Sequence, residues 1–204
     1  MTNILAEYDK FFMDKRLGRR FATFRKAIAA MLEERDTGHI IIETGTVRQY
    51  DNWTWDGQST RVWEWFVAQT GGQVITIDID PAATELARKV CDSKYVTAIT
   101  ADSVAELHRI AAQGTLPDLV YLDSYDYNPL EGQAAAIHHL KELTAIWPVV
   151  TGRFPRAVIV MVDDYHREGA SKPELVQEYF NAIGIEPLFA SAHEKGGQIA
   201  WIVE

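Results

Sequence analysis

The sequence predicts one α/β domain: a mostly parallel seven-stranded sheet with helices on both faces and an antiparallel hairpin at its C-terminal end. Three observations carry this. The stretch His39-Ile40-Ile41-Ile42-Glu43-Thr44-Gly45-Thr46 sets three β-branched residues in a row with no polar alternation, the pattern of a strand buried on both faces. Apolar runs of this kind then alternate with helical stretches five times, the rhythm of βαβ units. No repeat, low-complexity segment or linker interrupts the chain, and 204 residues at 47% hydrophobic content suit one well-buried domain better than two.

In order along the chain, residues 1–35 read as helix. Leu17, Phe21, Phe24, Ile28, Met31 and Leu32 recur at spacings of three and four and form one apolar stripe. Gly18 is placed to divide this segment into two helices, and Gly38 ends it. The segment is expected to pack on the sheet or on a second subunit, with a lid over the site as the other reading. It forms a helical cap, residues 1–38, on a domain of residues 39–204. After the first strand, a helix is expected over residues 59–70, with Val62, Trp63, Phe66 and Val67 facing the sheet. Strands follow at Val74–Asp80, Tyr95–Thr100, Asp118–Leu122 and Ala157–Val162, and helices at residues 82–91, 103–112, 131–146 and 172–183. Two last strands, 187–190 and 198–203, flank His193-Glu194-Lys195-Gly196-Gly197, a hairpin turn.

The bulk composition excludes several classes. A formal charge of −9 disfavours nucleic acid as a partner, since neutralising phosphates takes clustered Lys and Arg. The local exception, Lys15-Arg16 with Arg19-Arg20, reads as the solvated face of a helix. A single cysteine, no signal-like leader and no apolar stretch long enough to span a bilayer point to a cytoplasmic protein away from membranes.

The first five strands each end in, or are followed by, a carboxylate: Glu43, Asp78, Asp102, Asp123 and Asp163. In a parallel sheet these fall on one edge, where ligands of open α/β sheets bind. Like charges held close repel, so that edge calls for a cation or a hydroxyl-rich ligand. The alternative is that each acid caps the helix after it, which suits Asp102 better than the adjacent pair Asp163-Asp164. Asp78, at the tip of the second strand, is placed to accept hydrogen bonds from a ribose diol, while Pro81 has already turned Asp80 into a helix. Asp78-Ile79-Asp80 also invites a second reading, the Asp-x-Asp metal site of a nucleotide-sugar glycosyltransferase. No Gly-x-Gly-x-x-Gly follows any strand, which disfavours a nicotinamide enzyme.

The order of Glu43-Thr44-Gly45-Thr46, Thr76-Ile77-Asp78, Ala101-Asp102-Ser103, Leu122-Asp123 and the closing hairpin resembles the class I S-adenosylmethionine-dependent methyltransferases, over residues 39–204. The resemblance implies their Rossmann-like fold. It implies that Glu43, Thr44, Gly45 and Thr46 face the methionine part of the cofactor, that Ser59 takes its carboxylate with helix amides, that Asp78 holds the ribose and that Asp102 and Ser103 meet the adenine. An insertion at residues 47–56 departs from the family's compact glycine loop and splits it from a second turn, Gly57-Gln58-Ser59-Thr60. Arg48, Tyr50, Trp53 and Trp55 of that insertion are expected to wall the acceptor or the cofactor, or else to form an ordered surface loop.

Within the family, Asp123, Asp163 and Asp164 look like the ligand set of the metal-dependent O-methyltransferases, of the macrolide-sugar and cephalosporin-hydroxylase-like branch and more distantly of the catechol type. Hard oxygen ligands of this kind suit Mg2+. The catechol type has asparagine where this chain has Asp164, and it keeps a lysine after the position of Asp123 that this chain lacks. His166 is then the expected general base, its ordinary pKa being near neutrality, and Asp126 the second candidate. His138 and His139 are read as structural. The acceptor expected is a small hydroxylated molecule, a sugar or a natural-product-like compound, and a homodimer would suit the apolar residues of the first helices. A non-catalytic cofactor-binding relative is the other alternative.

Overall fold

The computed structural model describes residues 3–54, 58–126, 128, 133–152, 156–167 and 171–204, with the backbone alone at residues 14–16. Its elements are α1 (Ile4–Leu17), a 3-10 turn (Gly18–Arg20), α2 (Phe21–Glu34), β1 (His39–Thr44), α3 (Ser59–Thr70), β2 (Gly72–Asp78), α4 (Pro81–Val90), β3 (Val96–Thr100), α5 (Ser103–Ala112), β4 (Leu119–Leu122), α6 (Ala134–Thr151), β5 (Val158–Tyr165), α7 (Glu174–Ala182), β6 (Pro187–Ser191) and β7 (Gly197–Val203). The strands form one seven-stranded sheet in the order β3-β2-β1-β4-β5-β7-β6. The first five are parallel and β7 is antiparallel to both its neighbours. This is the predicted architecture. The order reverses between β1 and β4, so the crevice at their carboxyl ends is the switch point at which such sheets bind ligands.

The isoleucine run works as its composition predicts. Ile41 faces one layer, with Phe24, Trp63, Val74 and Tyr121, while Ile42 faces the other, with Ile77, Val120 and Val160. Period-two alternation thus feeds two cores from one strand. The first layer takes in Tyr8, Phe12, Phe24 and Ile28 of the N-terminal helices, so the helical segment covers a face of the sheet. Gly18 divides it, with φ +54 at the start of the 3-10 turn.

Two element bounds near the site differ from the sequence expectation, one in α6 and one in β5. The start expected at residue 131 lies outside the described residues. At the other end, α6 runs on to Thr151 through Pro148. A proline inside a helix costs about 3 kcal/mol. Burial of Val149 and Val150 offsets it, together with the edge-on packing of Trp147 against Tyr179 and Phe180. The second difference concerns β5, which includes Asp163 and Asp164 rather than ending before them. Its ladder with β7 shifts register between Val162 and Tyr165, and Asp164 has φ 51. A bulge of this sort re-aims side chains, and here it lets two consecutive acids serve one site.

Gly45 ties the ends of β1 and β4 together. It has φ +78, and a Cβ added there would lie 2.6 Å from the backbone oxygen of Asp123. Only glycine meets both demands. Gly45→Ala is expected to lower stability by at least about 2 kcal/mol, from left-handed strain plus displaced backbone. A urea-denaturation midpoint within error of the wild type would contradict this account of the turn.

Candidate active site at the strand carboxyl edge

The five predicted acids lie along the carboxyl edge of the parallel strands, but they differ in what they do there. Glu43 is fully buried. Its Oε2 accepts from Thr60 Oγ1 at 2.6 Å and Thr76 Oγ1 at 2.8 Å, and its Oε1 has no hydrogen-bond partner among the described residues. Burial pushes its pKa up to about 7, against the pull of the Ser59, Thr60 and Thr76 hydroxyls. Thr44 donates from Oγ1 to Glu142 Oε2 at 3.2 Å. The Thr46 amide donates to Asp78 Oδ2 at 3.1 Å, and its hydroxyl lies 3.2 Å from that of Thr60. Ser59 is buried at the first turn of α3, beside a left-handed Gln58. Glu43 to Thr46, Ser59 and Asp78 are therefore brought together around one turn.

Asp78 accepts from the Thr46 amide and, through Oδ1, from the Asp80 amide at 2.9 Å. A carboxylate has about four lone-pair sites, so capacity for a diol remains. Asp80 is the N-cap of α4, accepting from the Ala82 amide at 2.8 Å. This commits Asp80 to its own helix and disfavours the Asp-x-Asp metal site. Asp102 likewise caps α5, accepting from the Ala105 amide at 2.9 Å. The Ser103 hydroxyl lies 3.0 Å from His138 Nε2.

His138, read from sequence as structural, thus joins the edge. It also lies 3.3 Å from Glu142, a fully buried acid that the sequence reading passed over. Burial drives the Glu142 carboxyl up, but contact with both histidines and with Ser124 outweighs it and holds the pKa below the ordinary value. His139 is buried and its Nδ1 is 2.7 Å from the carbonyl of Ala135. Burial lowers its pKa to about 4, as befits a structural residue.

Asp123, Asp163 and Asp164 do converge, around two cations. Asp163, 1% exposed, takes Arg20 Nε at 2.9 Å and Nη2 at 2.8 Å on Oδ2, with Tyr121 Oη at 2.8 Å on the same oxygen. Its Oδ1 accepts from the Asp164 amide at 2.8 Å and from Arg20 Nε at 3.2 Å. Burial opposes the charge on Asp163, yet Arg20 outweighs it and holds the carboxyl below its ordinary range. Lys172 Nζ donates to Asp123 Oδ1 at 2.8 Å and lies 3.0 Å from Asp164 Oδ2. Arg20, expected on a solvated helix face, is 5% exposed. The reason is the 3-10 turn at Gly18, which rotates it off the α1 surface and over the end of β5. The residues do not fit Mg2+. The metal needs carboxylate oxygens in near-octahedral array, but both oxygens of Asp163 are taken by Arg20, Tyr121 and the Asp164 amide, and the Lys172 ammonium sits between Asp123 and Asp164 where the ion would have to stand. Among the described residues no group of three His, Cys, Asp or Glu is arranged to hold a metal ion.

His166 directly follows β5, half-buried, with Nδ1 3.3 Å from the Glu194 carbonyl. Asp126 is exposed and paired at 2.6 Å with Arg48. In the inserted loop, Tyr50 is exposed and Trp55 lies outside the described residues, as does Gly57 of the second turn. Trp53, expected to wall a ligand, turns inward. It packs on Phe12 with centroids 5.8 Å apart and lies under Arg61 at 5.0 Å. Its outer side lines a groove of about 270 Å³ with Phe11, Trp65 and Tyr95. Arg61, Glu64 and Ala68 also line it, so the groove follows the length of α3.

No protein-family model matches the chain, and no curated protein does. Solved structures do. MycE, a methyltransferase of the mycinamycin pathway in complex with Mg, SAH and mycinamycin VI, aligns with 97% of this chain and 53% of its own at 17% identity and a TM-score of 0.60. This chain therefore spans about half the length of that protein. A Streptococcus mutans methyltransferase candidate in complex with SAH aligns at 9% identity and a TM-score of 0.57, over 90% of this chain and 97% of that one. An Agrobacterium tumefaciens SAM-dependent methyltransferase gives 13% identity and a TM-score of 0.55, over 91% of this chain and 62% of that one. The fold is the Rossmann-like class I methyltransferase fold.

The buried acid Glu43 has a signature in solution. Its folded pKa of about 7 exceeds the ordinary 4.5, so the unfolded chain releases this proton first as pH rises and stability falls between those values. Between pH 4.5 and 8 the stability of Glu43→Gln relative to wild type, without cofactor, is expected to rise by about 3 kcal/mol. A difference that does not change with pH would show that Glu43 is not held protonated.

Proposed function

We propose that the protein is an S-adenosylmethionine-dependent O-methyltransferase acting on a small hydroxylated acceptor. The observation that carries the reading is the arrangement at the switch point. A glycine turn with Thr46 and the buried Glu43 lies on one side, and Asp78, with lone pairs to spare, lies at the tip of β2. The cofactor fits these residues. Its amino group would give the unpartnered Glu43 Oε1 a donor, its carboxylate would meet Ser59 at the first turn of α3, its ribose hydroxyls would donate to Asp78, and its adenine would lie near Ser103 and the cap Asp102. When bound, it supplies an electrophilic methyl group.

What the chain must then do is hold an acceptor oxygen in line with that methyl and take its proton. His166, at the end of β5, is the better base, because Asp126 is engaged by Arg48. The mycinamycin complex of MycE supports a natural-product-like acceptor. Phe11 and Met13, both about half exposed on α1, support the expected homodimer.

Calorimetric titration of S-adenosylmethionine tests the cofactor assignment. Binding is expected, and Asp78→Ala should weaken it about 100-fold or more through loss of two charge-assisted hydrogen bonds. Absence of binding to the wild type would falsify the reading, and nucleotide sugars would be the next ligands to titrate. Given binding, His166→Ala should cut methyl transfer to hydroxylated glycosides about 100-fold or more while leaving cofactor affinity unchanged. Undiminished turnover would remove His166 as the base.

A further inference from the structure

We propose that Lys172 is the resident cation of the strand-edge site: its ammonium, with the Arg20 guanidinium, stands where a metal-dependent enzyme of this fold would place its metal, and the site works without one. The assignment deepens the reading above, taking the carboxylate cluster as the acceptor end of the same crevice, but it rests on geometry that needs no methyl donor.

Lys172 comes from the segment before α7 and is nearly inaccessible, its side chain 3% exposed. Nζ bridges Asp123, just past β4, and Asp164, in the bulge of β5, at 2.8 and 3.0 Å. These are two of the three oxygen donors a metal would need. The third, Asp163, is exhausted. Its two oxygens receive Arg20, Tyr121 and the Asp164 amide, which fills the lone pairs a carboxylate has.

Charge points the same way. Arg20 and Lys172 lie among the carboxyl groups of Asp123, Asp163 and Asp164, and Arg19 is near enough to interact with Asp163 and Asp164, so the cluster already holds its counter-charge. A divalent ion bound to both Asp123 and Asp164, at metal–oxygen distances near 2.1 Å, would be forced against the ammonium that bridges them at 2.8 and 3.0 Å. Metal and Lys172 are therefore alternatives. An ammonium has three donors, of which the two carboxylates take two. An acceptor oxygen held at this edge would feel the field of Lys172 and Arg20 in place of that of a metal.

The test is a manganese titration of the full chain, stripped with EDTA, followed by the loss of the free Mn2+ paramagnetic signal. The wild type is expected to show no saturable one-per-chain binding below about 1 mM, weaker than ordinary oxygen-ligand sites. Saturable binding in that range would overturn the proposal. Lys172→Gln, checked for folding by circular dichroism, frees Asp123 and Asp164 and is expected to bind Mn2+ at least about 10-fold more tightly than the wild type. If a folded Lys172→Gln gains no Mn2+ affinity, Lys172 does not stand in a metal's place. The wild-type titration decides the matter even if the variant fails to fold. A failure of the methyltransferase reading would show separately, as missing S-adenosylmethionine binding.

Discussion

The contact of Arg20 with Asp163 settles more of this molecule than any other. A carboxylate held at 1% exposure is tolerable only with a partner, and removing one member of such a pair typically costs about 3–5 kcal/mol because a charge is left stranded. The guanidinium stands beside Asp163 where the helical segment, already kinked at Met13, breaks again at Gly18 and makes a 3-10 turn before α2. Tyr121, from β4, adds its hydroxyl to the same oxygen. One ion pair therefore fixes the N-terminal helices, β4 and the end of β5 against one another.

Around it, several residues sit in backbone conformations that side chains disfavour. Gln58, Tyr125 and Asp164 have positive φ, and they belong respectively to the entry of α3, the loop after β4 and the bulge of β5. Strain of this kind costs about 1–3 kcal/mol per residue and persists where surrounding contacts over-determine it. Its concentration at the carboxyl edge is what a site with demanding geometry requires.

The sheet was legible in the sequence because its signals are local. Isoleucine runs, acids at strand ends and Gly71-Gly72 after α3 each act within a few residues, and the elements followed. The glycine turn after β1 and the place of Asp78 at the tip of β2 were legible for the same reason. The counter-charges were not. Arg20 meets Asp163 across 143 positions and Lys172 meets Asp123 across 49, and no periodicity encodes contacts at that range. One signal was present: three clustered acids need cations, and Arg20, next to a glycine at a helix break, was available. For Lys172, beside Pro173, the sequence carried no comparable mark. Trp53 misled because aromatic composition alone does not say which way a loop side chain turns, and here Phe12 and Arg61 offered it a dry partner and a cation.

Arg20 comes from the helical cap. Function lies in sites grafted on folds, and a flanking segment can be part of such a site. In this chain the segment carries one of the two positive charges that balance the strand edge, so replacing it wholesale would alter the site's electrostatics along with its shape. Shape and charge at this edge are therefore coupled, and one could be changed only while the other was preserved or compensated.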